Sequence, residues 1–156
     1  MKRETSRRWR TLRRLPWSER RSAAVALLAL TGIRLALASL GFRRVHGILS
    51  RWVAASAPGA QCPPALRGAR AAATLRALDR AAGCGPSRPS CLPRSLTLWW
   101  LLRRQGMPAE LRIGVRREGD RLEAHAWVEQ DGVVLGDQAD VHDRFHAFVG
   151  SIQTGG

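Results

Sequence analysis

The sequence has no Cys-x-x-Cys pair, and its three cysteines, Cys62, Cys84 and Cys91, are an odd number. That pattern argues against a disulfide framework and against a zinc site of the usual ligand spacing. A reducing cytoplasm with one working thiol fits better. Acidic residues are scarce at one end. Residues 1–60 hold 13 Arg/Lys against Glu4 and Glu19, a balance of +11. Residues 61–156 hold 13 against 10, so the net charge of +14 belongs mainly to the N-terminal third. No nucleic-acid-binding motif accompanies that charge, and nucleic acid is not an expected partner. Also missing is an uninterrupted apolar run of about 20 residues, the length needed to span a bilayer. The run that opens at Ala23 meets Arg34, a charge that would cost about 2.5–3.5 kcal/mol at mid-span. A buried or interface helix pair is expected instead, with peripheral contact to an anionic membrane through residues 1–53 left open.

What is present suits one globular domain with a helical appendage: 156 residues, 45% of them hydrophobic. Pro58, Gly59, Pro63 and Pro64 mark a linker. They divide a basic N-terminal helical segment, 1–57, from a domain over 58–156. Helical periodicity covers 22–53 and 65–82, the latter with Leu75, Leu78 and Ala82 on one stripe and Gly83 as a stop. A Pro-rich approach then leads to Cys91-Leu92-Pro93, where Pro93 suits the first turn of a helix that Gly106 can end. Cys91 therefore falls at a helix N-terminus, where free N–H groups and the positive end of the dipole favour a thiolate. Beyond it the period changes from 3.6 to 2. Leu111, Ile113 and Val115 alternate with polar residues, as do Leu122, Ala124, Ala126 and Val128, and Val133-Val134-Leu135 continues the sheet. The fold class is α+β: a Cys-bearing helix on an antiparallel sheet.

A thiolate nucleophile needs a base and a group that orients the base. Of four histidines, His46 reads as a surface residue of the basic helices, and His142 and His146 as part of a solvated loop with Asp140 and Asp143. His125 lies within a strand, on the face opposite Ala124 and Ala126. If Gln130-Asp131-Gly132 is a three-residue hairpin loop, Glu129 pairs with Val133 and His125 faces Asp137. Directly opposed Cβ atoms lie about 4.5–5.5 Å apart, within reach of a carboxylate–imidazole bond. A slip of one residue would put Gln138 there instead. Each residue alone has a plain structural explanation, whereas helix-start Cys91, strand His125 and neighbouring Asp137 together make the papain-like and transglutaminase-like arrangement. This chemistry calls for no cofactor and no metal.

The stretches Cys91-Leu92-Pro93-Arg94-Ser95-Leu96, Leu101-Leu102-Arg103-Arg104-Gln105-Gly106, Ala109 to Val115 and Ala124-His125-Ala126-Trp127-Val128-Glu129 resemble one peptide-maturation family. It is the lasso peptide leader peptidase family, transglutaminase-like cysteine proteases also called B proteins. The resemblance is close over 85–137 and looser over 34–44. It implies cleavage of the leader from a ribosomally made precursor peptide, with Cys91 as nucleophile, His125 as base and Asp137 as orienter. A separate ATP-using cyclase would then close the ring. Some members carry a winged-helix-like leader-recognition module at the N-terminus. This chain has a short basic helical segment there, so it resembles the split form, in which a separate small protein delivers the leader. Two rival readings are acyl transfer to an amine on the same scaffold, and a non-enzymatic basic adaptor for anionic membrane or RNA.

Overall fold

A computed structural model describes residues 16–56, 61–84 and 89–147. The basic stretch 1–15 and part of the expected linker, 57–60, lie outside the described residues. Four long helices precede a small sheet: α1 (Trp17–Leu40), α2 (Phe42–Ser56), α3 (Pro64–Cys84) and α4 (Cys91–Arg104). Then come β1 (Glu110–Glu118), β2 (Arg121–Gln130), β3 (Val133–Leu135), a single helical turn α5 (Val141–Arg144) and β4 (His146–Ala147).

Glycines set the ends of several elements. Gly41, at φ 75°, stops α1 and returns its N–H to Leu37 O at 3.1 Å, after which α2 begins at once. Gly106, at φ 71°, ends α4, with Met107 N–H closing on Leu102 O at 3.1 Å. Arg34 interrupts the apolar run but not the helix, and α1 continues to Leu40. It runs for 24 residues, long and apolar enough by length and composition to cross a membrane. Its Ala23, Ala26, Leu30 and Ile33 are nevertheless buried within the fold.

The sheet is antiparallel, in the order β3-β2-β1-β4. β1 and β2 pair from Glu110↔Glu129 to Glu118↔Arg121 around a two-residue turn, with Gly119 at φ 61° in the first central position. The second hairpin differs from expectation. Gln130 pairs with Val133, so the loop is the two residues Asp131 and Gly132, at φ 50° and 78°. Positive φ at both central residues is the type I′ demand that Asp-Gly satisfies, and its twist matches that of the strands. The ladder is therefore one residue off the register inferred from a three-residue loop. Continued past Leu135, it would set Gln138 opposite His125.

Two apolar clusters lie on opposite faces of β2. Val128 joins the main core, formed with Leu30, Ile33, Val45, Leu49, Leu78, Leu96, Leu98 and Leu102 of the four helices. Trp127, on the other face, packs with Val141 and Phe145. α1 and α2 thus contribute side chains to the same core as α3, α4 and the sheet. His46 is buried rather than superficial. It stacks on Trp99 at 4.9 Å and meets Phe42 at 5.6 Å, and burial holds its pKa below the ordinary value.

Candidate active site

Cys91 is the first residue of α4, after the extended Ser90, and is partly exposed. The α-helical ladder begins with Arg94 N–H to Ser90 O at 3.4 Å, and Pro93 carries no N–H. The N–H groups of Cys91 and Leu92 therefore precede the ladder, on the positive end of the helix dipole. The other two thiols are occupied or hidden: Cys62 is buried, and Cys84 Sγ contacts the carbonyl of Arg80 at 3.2 Å.

His125 Nε2 and Asp137 Oδ2 are 2.5 Å apart, with both side chains about four-fifths buried. Asp137 Oδ1 accepts a second bond from Gln138 N–H at 2.8 Å. A carboxylate on Nε2 assigns the proton there and leaves the Nδ1 lone pair as the basic site. The imidazole ring stacks on Phe145 at 4.8 Å and lies near Trp127 at 6.3 Å.

The contact expected between His125 and Asp137 is present, although the ladder reasoning that led to it used the wrong register. β3 ends at Leu135, and Gly136 at φ 73° turns the chain so that Asp137 leaves the ladder and reaches back to His125. A Cβ on Gly136 would lie 2.8 Å from Leu75 Cδ1 and 3.1 Å from Arg94 Nη1, both ends of flexible side chains that can shift, so it is the positive φ of the turn that demands glycine.

Two tethers tie the first turns of α4 to this pair. Ser95 Oγ, buried, donates to Ala126 O at 2.7 Å, next to His125. Arg94 Nη1 donates to Gly136 O at 2.6 Å, next to Asp137, and Nη2 bridges to Asp79 of α3 at 2.8 Å. Cys91 lies three and four residues before these anchors, on the neighbouring part of the helix surface. Sequence reasoning left Arg94 outside the site. The signal that could have found it is helical spacing, since Arg94 falls one turn after the candidate nucleophile.

On the same face of β2 as His125 lies a buried carboxylate. Glu129 accepts from Trp127 Nε1–H at 2.7 Å and from Arg112 Nε–H at 3.2 Å, and its Oε1 lies 3.5 Å from His142 Nε2. His142 is exposed, as expected of a solvated segment, yet it also meets Trp127 edge-on. His146 pairs opposite Val115 in β4, a strand that was not anticipated. Among the described residues, no group of three or more His, Cys, Asp or Glu is arranged to hold a metal ion.

A helix-borne Cys on an antiparallel sheet, with a strand His bonded to an Asp beyond the next strand, defines a transglutaminase-like α+β fold. The family model described as the Transglutaminase-like superfamily matches residues 27–149, and the chain belongs to that superfamily. No curated protein and no solved structure matches it.

Proposed function

We propose that the protein is a cysteine peptidase that removes the leader from a lasso peptide precursor, with Cys91, His125 and Asp137 as its catalytic triad. The observation that carries this reading is the convergence of α4 on the His125–Asp137 pair through Ser95 and Arg94, one turn beyond Cys91. The specific substrate rests on the resemblance of residues 85–137 to the leader peptidases, and superfamily membership is compatible with it.

In this mechanism His125 Nδ1 takes the proton of the Cys91 thiol, and Asp137 stabilises the imidazolium through Nε2. The thiolate attacks the carbonyl at the leader–core junction. The oxyanion forms at the start of α4, where the Cys91 N–H precedes the helical ladder and can donate. His125 returns the proton to the leaving amine, and water resolves the thioester, releasing the carboxylate. A separate leader-recognition protein presents the precursor, and a cyclase acts on the released core.

The test is incubation of purified protein with a precursor and its leader-binding partner, read by mass spectrometry. Wild type should yield free leader and core, and Cys91→Ala intact precursor. Cleavage undiminished in Cys91→Ala would sink the reading. Superfamily membership also accommodates acyl transfer to an amine by the same residues. Incorporation of an added amine in place of hydrolysis would select that chemistry.

A further inference from the structure

α1 is apolar on two opposite faces. Ala23, Ala26, Leu30 and Ile33 face the core. On the other side Trp17, Ala24, Leu28 and Leu35 recur at spacings of seven, four and seven residues, and all are exposed. The apolar stretch of this helix is long enough to cross a membrane, yet only 22% of it is buried inside the fold. A helix apolar all round belongs in a larger core or against lipid.

The exposed stripe continues into α2. Leu28, Gly32 and Ala36 of α1 face Ile48 and Trp52 of α2 across a groove of about 320 Å³, with Trp100 also lining it. Trp52 is 58% exposed, Ile48 39% and Leu28 74%. Beside Ile48 and Trp52 on the outer surface of α2 come Arg44 and Arg51, both exposed, and exposed Arg21 flanks the stripe on α1. Within residues 16–56 six arginines face one acidic residue, Glu19, whose carboxylate is bridged to Arg80 at 2.9 Å. The surface therefore joins an apolar band, Trp at its margin and a cationic flank.

We infer that the α1–α2 face docks on an anionic phospholipid bilayer, lying in the interface with Leu28, Leu35 and Ile48 in the acyl boundary, Trp52 at the headgroup level and Arg21, Arg44 and Arg51 against headgroup phosphates. Charge complementarity selects the occupant: the positive flank meets the negative surface potential, and Trp at the margin suits the headgroup level. α1 lies on the membrane and does not cross it, because its inner face, with Ala26, Leu30 and Ile33, is committed to the core. This surface is independent of the proposed catalytic residues.

The test is flotation of the full chain with vesicles of phosphatidylcholine alone and of an equal mixture with phosphatidylglycerol. Wild type should float with the mixed vesicles and not with the neutral ones. Leu28→Gln/Leu35→Gln and Trp52→Gln, which leave the charge unchanged, should lose binding while keeping the wild-type circular dichroism and melting curve. Arg44→Glu/Arg51→Glu should weaken it on the order of tenfold or more, and Cys91→Ala should bind as wild type does. Absence of flotation, or flotation unchanged by the Leu and Trp substitutions, overturns the inference. So does a dimer, or a stoichiometric complex with a leader-binding protein, that these substitutions abolish while vesicle binding persists.

Discussion

The Asp137 carboxylate is divided between two donors, His125 Nε2–H and Gln138 N–H, and each fixes one oxygen. Asp137→Ala should therefore lower kcat of precursor cleavage by roughly 10²-fold or more, with KM little changed. An unaltered kcat would remove Asp137 from the mechanism. Arg94 acts one step further away. It grips the carbonyl that precedes Asp137 and is itself held by Asp79. Arg94→Ala frees the Gly136–Asp137 turn, so kcat should fall while KM holds, and Arg94→Lys should recover part of the loss as a single-point donor. Equal losses in the two variants would leave Arg94 a packing residue. The placement of Cys91 at a helix start and of His125 in a strand was legible because the Pro93 position and the strand alternation pointed the same way. The contact of Arg94 was not, since helical spacing placed it one turn from Cys91 but could not name its partner, a backbone carbonyl 42 positions away.

At the scale of elements, the decisive joint is α4 on β2. Ser95 Oγ reaches Ala126 O in a buried setting, so Ser95→Ala leaves a carbonyl without its donor and should cost about 1–3 kcal/mol. Chemical denaturation measures that loss, and activity should fall with it because the helix bearing the proposed nucleophile loses a tether. The partner strand has its own constraint at Gly114. A Cβ there would lie 2.9 Å from both His146 O and the Trp127 ring, which explains a glycine in mid-strand. The strands were legible from their alternation, and the second hairpin from its Asp-Gly. The register of the second hairpin was misread, because Gln130 was counted into a loop that the type I′ preference of Asp-Gly keeps to two residues. β4 escaped notice because two residues are too short for any period to show.

For the whole molecule, helices α1 and α2 are structural. Leu30, Ile33, Val45, Leu49 and Val53 of α1 and α2 are buried in the main core, and at about 1.5–3 kcal/mol each they contribute roughly 8–15 kcal/mol gross. That is as large as the net stability of a typical domain. A chain beginning at residue 58 should accordingly lose its cooperative thermal transition, and a sharp melt from it would show that the sheet and α3–α4 stand alone. His46 provides a finer measure of the same packing. The unfolded chain takes up its proton near pH 6.5, whereas burial between Phe42 and Trp99 delays that uptake to lower pH in the folded state. Below about pH 6.5 the unfolded state thus binds more protons at this site, and stability declines as pH falls. The loss ends once pH passes the lowered folded-state value. Urea denaturation at pH 7.5 and 5.5 should show a decline in wild type that is smaller in His46→Leu. Identical declines would mean that the α2–α4 junction admits the charged imidazole without cost.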